Sequence, residues 1–457
     1  MADLTQALAR PHPERAIETL GDAFYDAVSG ARFPQATLRW RNGRAATQVG
    51  LADLTDEEWM AHFGRFEPLE GSLPQPLALR YHGHQFRTYN PDIGDGRGFL
   101  FAQLRDGAGR LMDLGTKGSG QTPYSRFGDG RLTLKGAVRE LLATEMLEAL
   151  GVPTSRTFSI IETGEALERN DEPSPTRGAV LFRLSHGHIR IGTFQRLAYL
   201  RDAESMTRLV DYCLQRFYGE PGGGDGPARL LRHVIDRTAV LAARYMAAGF
   251  VHGVLNTDNI NVTGESFDYG PWRFAPTWDP GFTAAYFDHA GLYAFGRQAE
   301  AIHWNCMQLA VALRTVSEAP PLIDALDAFG DAYQQAIIDA LFWRLGVKPL
   351  GDARDRATVE AIERGLRETG TGIDTFFHNS FGGAIPDHLG IAFDDARAAL
   401  ADHAPRKPRD HPYWAGPPCS MLIDEVEALW SAIDQRDDWS PLAEKVASIR
   451  YMGQALA

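Results

Sequence analysis

The chain has 457 residues, of which 44% are apolar and 23% charged, the profile of a globular protein large enough for two domains or one two-lobed domain. Its 46 basic and 59 acidic residues give a net charge of -13, which sets the surface against nucleic acid. Cys213, Cys306 and Cys419 lie far apart and form no CxxC pair, so a reducing compartment is expected rather than a disulfide framework. Met1–Gln6 lacks a basic segment leading into an apolar run, and no apolar stretch approaches the ~20 residues of a membrane span. The expectation is a cytoplasmic protein with no membrane partner.

In chain order, residues 1 to 75 mix short helical patterns with Pro- and Gly-marked turns. Thr55-Asp56-Glu57-Glu58 ahead of Trp59 predicts a helix start. The Gly-rich turn Gly94-Asp95-Gly96-Arg97-Gly98 precedes an apolar run from Phe99. With Asp106-Gly107 as a turn, a hairpin to Leu111–Lys117 is predicted. A second Gly-rich segment, Gly118 to Arg131, is followed by helical spacing of Val138, Leu141, Leu142, Met146 and Leu147, ended by Gly151. Strands are expected at 159–163 and 178–184, joined by a polar loop around Asp171. Beyond about 195 the chain reads as helical, with a strong stripe from Leu230 to Met246 and further helices at 299–316, 322–345 and 421–435. Asp352 to Arg364 reads as a solvated helix face. A strand-rich first part and helix-rich second part predict an α+β, two-lobed fold, with an N-terminal extension at 1–77, an N-lobe at 78–194 and a helical C-lobe at 195–457.

The chemistry concentrates after the Leu230–Met246 stripe. His252-Gly253 is followed by Asp258-Asn259, and Asp268-Tyr269-Gly270 comes nine residues after the Asn. Kinase folds use a His-x-Asp loop for the base, a later Asn for one metal ion and an Asp-Phe-Gly for the other. Hard divalent ions suit such oxygen ligands. Two residues after His252, however, stands Val254, which can neither accept a proton nor hold a metal. Asp258 is the nearest carboxylate. Upstream, Lys117 at a strand end and Glu140 on the following helix match the lysine and glutamate that grip nucleotide phosphates in kinases. Each alone reads as a surface charge; the ordered set is harder to explain that way. The pairs His82/His84 and His186/His188 lack a third ligand and read as structural hydrogen bonding. His252 reads as a loop-fixing residue, and Trp272, Phe274 and Trp278 as packing.

These motifs are long. Asn90-Pro91 with Gly94-Asp95-Gly96-Arg97-Gly98, Thr122-Pro123-Tyr124-Ser125-Arg126 with Gly128-Asp129-Gly130-Arg131, Gly249 through Asn259, Asp268-Tyr269-Gly270-Pro271 and Asp279-Pro280-Gly281-Phe282 resemble the selenoprotein O family, the bacterial YdiU-type proteins, over roughly residues 78–310. The resemblance implies a protein-kinase-like fold that transfers AMP from ATP to Ser, Thr or Tyr hydroxyls of other proteins, with ATP reversed relative to a kinase and UTP as a further donor. It implies nucleotide contacts at Gly94, Gly96, Arg97, Lys117, Asp129, Gly130, Arg183 and Arg190, with Glu140 orienting Lys117. Asn259 and Asp268 would ligate Mg²⁺ or Mn²⁺, and Asp258 would accept the proton. Two departures stand out. Many relatives have a selenocysteine or cysteine near the C-terminus, whereas Cys419 is the last here, so redox control through that tail does not carry over. Gln195 occupies a position that is usually acidic in relatives. The competing readings are a γ-phosphate kinase, which Val254 opposes, and a non-catalytic ATP-binding scaffold, which the Lys117, Asn259 and Asp268 set opposes.

Overall fold

A computed structural model describes residues 7–170 and 172–457. Met1–Gln6, where no secretory signal was expected, and Asp171 of the polar loop lie outside the described residues. Within them, nine strands form one antiparallel sheet: β1 (His12–Glu14), β2 (Tyr25–Ala27), β3 (Thr37–Arg41), β4 (Leu77–Leu79), β7 (Leu100–Arg105), β8 (Leu111–Lys117), β9 (Leu132–Thr133), β10 (Arg156–Leu167) and β11 (Thr176–Ser185). The spatial order is β2-β4-β7-β8-β11-β10-β3, with β1 on β7 and β9 on β11. A separate hairpin, β5 (Gly83–Gln85) and β6 (Thr88–Asn90), precedes the Gly-rich turn. The predicted hairpin at 99–117 and the strand pair at 159–184 both form. The first 75 residues hold more strand than their short helical patterns suggested: β1, β2 and β3 belong to the main sheet.

Period-two alternation sorts side chains to the two faces. From β8 and β11, Met112, Leu114, Val180, Phe182 and Leu184 join a cluster with Ala45 and Ala46 of α1 (Gly43–Gln48) and Trp59 and Phe63 of α2 (Asp56–Arg65). Trp59 stacks on Phe158 with centroids 5.1 Å apart, and its indole N–H donates to Ser159 Oγ at 3.0 Å. On the opposite face Leu111 and Leu181 meet Leu141 and Leu142 of α3 (Leu134–Ala149). That face also carries Asp113, Gly115 and Lys117 of β8 and Arg183 of β11, and Arg183 stands across from Gly115 in the register. Polar residues there interrupt the apolar pattern beside the helical half.

The helical half begins slightly earlier than expected, with Ile191–Leu200, and its long helix spans Gly226–Ala248. The helix expected over 322–345 is two, Ala319–Asp327 and Phe329–Leu345. The chain tightens at Ala328, whose N–H bonds back to Ala325, three residues rather than four. Trp272, Phe274 and Trp278 are buried, as their packing role requires. Asp355 departs from the expected solvated face. It is buried, accepts the Leu350 and Gly351 N–H groups at 2.9 and 2.7 Å, and meets His403 Nε2 at 2.9 Å, closing the turn ahead of its helix. The three cysteines are free and buried. No helix among the described residues is long and apolar enough to cross a membrane.

Two stability predictions follow from this packing. Thr55 and Glu58 form a reciprocal capping box on α2, so Thr55→Ala should cost about 1 kcal/mol in urea unfolding. Glu162 sits between Arg39 and Arg177, each 2.6 Å away. Burial works to raise its pKa, but Arg177 and Arg39 outweigh burial and hold it below the ordinary value. Its contribution is therefore present above the unfolded glutamate pKa of about 4.3 and lost as pH falls through the lower folded value. Glu162→Gln should flatten that acid-side fall in thermal midpoint; an unchanged slope would remove the assignment.

Candidate active site

A cleft of about 830 Å³ lies between the sheet and the long helix's C-terminal loop. It is lined by Gly94, Gly96, Arg97, Lys117, Asp129, Gly130, Arg183, Arg190, Asp258, Asn259 and Asp268, eleven of the twelve residues expected from sequence. The twelfth, Glu140, is buried behind it on α3 and accepts from Lys117 Nζ at 2.6 Å.

The Gly226–Ala248 helix ends on Gly249 in the left-handed region, φ 69°, a conformation that favours glycine. The chain then forms β12 (Phe250–Val251), which pairs with β13 (Arg273–Phe274), so residues 252–272 make a closed loop. Its anchors are side chains. Gln298 receives the His252 N–H at 3.1 Å and donates to the Phe250 carbonyl. His252 Nε2 bonds the Phe267 carbonyl at 3.0 Å, in keeping with a loop-fixing role. Asn305 donates to the Leu255 carbonyl. Asp268 itself has φ 60°, a strained setting that aspartate tolerates better than most residues.

Asp268 is the electrostatic centre. Arg183 Nη1 donates to Oδ1 at 2.5 Å and Arg190 Nη1 to Oδ2 at 3.0 Å, while Lys117 Nζ lies 3.7 Å from Oδ1. Burial would raise the Asp268 pKa, but Arg183, Arg190 and Lys117 hold it well below the ordinary carboxylate range. Arg190 also donates to Asp95, Tyr81 Oη and the Asp258 carbonyl. Asp258 is the contrasting carboxylate. Burial pushes it up to about 6, against the pull of Arg190, and its Oδ1 is buried without a hydrogen-bond partner. Its Oδ2 has Gln85 Nε2 at 3.5 Å. Val254 lies on the same cleft, and the Asn259 amide N–H bonds its carbonyl at 2.9 Å, leaving the amide oxygen as the atom available to a cation.

The two Gly-rich segments are pinned together. Ser125 Oγ donates to the Gly96 carbonyl and Thr122 Oγ1 to the Asp95 carbonyl, both at 2.5 Å. A side chain on Gly94 would overlap the Tyr124 ring, and one on Gly130, at φ 70°, would meet the Gly120 backbone at 2.2 Å. Asp129 pairs with Arg169 at 2.8 Å. Arg97 has no ion-pair partner among the described residues, so its charge is available to an anion.

Gln195 finds its explanation here. Its amide oxygen accepts from Thr257 Oγ1 at 2.6 Å, and its amide nitrogen faces His84 Nδ1 at 2.7 Å. Thr257 in turn accepts the His84 N–H. An amide serves both partners because it donates at one end and accepts at the other. The link ties the β5–β6 hairpin to the turn before Asp258. Sequence reasoning passed over Asp95, Tyr81 and Gln85; Asp95 stood inside a Gly-rich turn, where an aspartate is ordinary turn chemistry.

Comparison with known proteins adds to this geometry. The family model described as "Protein adenylyltransferase SelO" matches residues 8–383. The chain belongs to the SelO family. A relative from Synechocystis sp., named protein nucleotidyltransferase YdiU, is 42% identical over 96% of this chain and 97% of its own length. One of the same name from Gloeobacter violaceus is 43% identical over 96% and 94%. A third, from Pseudomonas entomophila, is 39% identical over 70% of this chain and 65% of its own. The SelO match begins ahead of β1 and so takes in all nine strands of the main sheet.

Replacing Gln195 by glutamate sets a carboxylate against His84, whose pKa burial now lowers. An adjacent opposite charge favours the imidazolium. Gln195→Glu should raise the His84 pKa by about one unit or more in an NMR titration; no change would show that the contact is absent in solution.

Proposed function

We propose that this chain is a protein adenylyltransferase that moves AMP from ATP to Ser, Thr or Tyr hydroxyls of other proteins and releases pyrophosphate, with UTP as a further donor. Its architecture is read as a kinase-like pair of lobes, a strand-rich one at 78–194 carrying the extension 1–77 and a helical one at 195–457, acting in the cytoplasm. Membership of a family whose model bears the adenylyltransferase description supports the reaction. The observation that carries the reading is Asp258 on the cleft with an unpartnered buried oxygen, beside a valine where a kinase has its base.

In this reading Lys117, Arg183, Arg190 and Arg97 bind the triphosphate, and Glu140 fixes the Lys117 ammonium. Asp258 takes the proton of the acceptor hydroxyl as its oxygen bonds to the α-phosphorus; the bond from that phosphorus to the bridging oxygen breaks and pyrophosphate leaves. Asn259 and Asp268 offer one amide oxygen and one carboxylate, both hard donors, a set that suits Mg²⁺ or Mn²⁺ sharing phosphate oxygens better than a dedicated protein cage. The metal, when bound, would neutralise charge developing at the α-phosphate and the leaving group.

Incubation with α- or γ-labelled ATP, Mg²⁺ or Mn²⁺ and a lysate tests the proposal. Label in protein from the α-position alone is expected. Label from the γ-position would identify a kinase, and none from either a scaffold. Asp268→Ala should abolish transfer, and wild-type labelling would remove its assigned metal role. Asp258→Ala should bind ATP yet lose about 10²-fold or more of its transfer rate; unimpaired turnover would place the base elsewhere.

A further inference from the structure

A line of buried polar groups runs behind Arg183, away from the cleft. Arg183 Nε lies 3.2 Å from His188 Nε2, and His188 Nδ1 lies 3.3 Å from Asp113 Oδ2. Asp113 Oδ1 accepts from Gln103 Nε2 at 2.8 Å, and Gln103 Oε1 accepts the Ile17 backbone N–H at 2.7 Å. Gln103, Asp113, His188 and Arg183 are each at least 95% buried. Such a row is costly to bury, and apolar residues of similar volume would often be as stable or more so.

We propose that Asp113 and His188 are positioning residues that set the Arg183 guanidinium for the nucleotide phosphates, by holding His188 in the one tautomer whose Nε2 is bare. The proposal rests on the reading of Arg183 as a phosphate-binding group. The assignment follows from donor and acceptor inventory. Arginine Nε always carries a proton and can only donate, so the nitrogen facing it must offer a lone pair. In a neutral imidazole the other nitrogen then carries the proton, and the Asp113 carboxylate stands opposite it. Ser185 Oγ, 3.4 Å from Nδ1 and 3.3 Å from Nε2, is a hydroxyl that can accept at the first or donate at the second and so suits the same tautomer. Burial lowers the His188 pKa, against the pull of Asp113 and with Arg183 acting in the same direction as burial, so the shift favours the neutral ring. An imidazolium would face Arg183 donor against donor.

The backbone is shaped for this arrangement. Gly115, opposite Arg183 on β8, leaves room for the ring: a Cβ there would fall 2.4 Å from His188 Nε2. The Phe267 ring, 5.1 Å from the Arg183 guanidinium carbon, closes another side. With Nε held by His188 and Nη1 by Asp268, the guanidinium has a fixed plane, and its orientation on the cleft is decided before any phosphate arrives.

The test compares His188→Gln with His188→Asn. The glutamine places an acceptor where Nε2 was and serves Arg183. The asparagine reaches only the Nδ1 position and serves Asp113. A hydrogen bond to a charged group is involved, so His188→Asn should raise the KM for ATP and the ATP dissociation constant measured by calorimetry about tenfold or more. In His188→Gln both should stay within about threefold of wild type, and kcat should move little in either. Equal behaviour of the two variants would overturn the proposal. The intact wild-type protein gives an independent reading: the ¹⁵N resonance of His188 Nε2 should be that of an unprotonated ring nitrogen. A protonated Nε2 would overturn the proposal even if a variant failed to fold. Because calorimetry needs no transfer, wild-type protein that fails to pass on the α-label yet shows the glutamine–asparagine difference would retire the transferase reading and leave the positioning role standing.

Discussion

The structure turns on one carboxylate shared among three cations. Asp268 draws Arg183 and Arg190 to its two oxygens and keeps Lys117 within 3.7 Å, while Glu140 and Asp95 hold the outer sides of Lys117 and Arg190. Three positive groups thus meet three negative ones in a largely water-free space. A single opposite pair about 4 Å apart is worth about 4 kcal/mol at an effective dielectric near 20, less than the desolvation of two ions. The cluster is favourable only as a set. Removing any member leaves the buried set one charge out of balance, and breaking a buried pair typically costs about 3–5 kcal/mol, so these residues hold the protein together.

The set can assemble because its members come from elements fixed by other means. Lys117 and Arg183 are placed by strand register, and Glu140 by a helix whose apolar stripe is packed on the same sheet face. Arg190 immediately precedes the first helix after the sheet, its backbone bridged to Asn261. Asp268 belongs to a loop closed by β12 and β13 and wired by His252, Gln298 and Asn305. Asp258, with nothing on its Oδ1, stands apart from this ionic mesh. Two acids a short distance apart in sequence are therefore shifted in opposite directions, one held ionised by cations and one pushed toward protonation by burial.

Much of this could be read from the chain itself. Lys117 and Glu140 stood out by their place after a strand and on a helix, and Thr55 with Glu58 by capping spacing. The loop from His252 to Gly270 was legible because His-Gly, Asp-Asn and Asp-Tyr-Gly follow one another in the order and spacing of a phosphate-handling loop. Other parts had no local signal. β1, β2 and β3 are three to five residues long, too short for a period to show. Asp113 and Gly115 carried no signal of their own inside the predicted strand, and the histidine beside them lies 75 residues from Asp113. The break at Ala328 contains neither Gly nor Pro, and Asp355 was misread because its partners are backbone N–H groups and a distant histidine. Gln195 was visible as an unusual residue, but its meaning required the position of His84.

The helix Ser440–Leu456 bears on the cleft through α3. Arg450 forks onto Glu145 of α3 with contacts of 2.8 and 2.6 Å, and Gly453 lets the two helices approach so closely that a methyl group would sit 3.2 Å from Ala149. α3 is the helix that presents Glu140. This helix, past the stretch matched by the family model, therefore braces α3 from behind, and damage to it would be felt at the Lys117–Glu140 pair as well as locally.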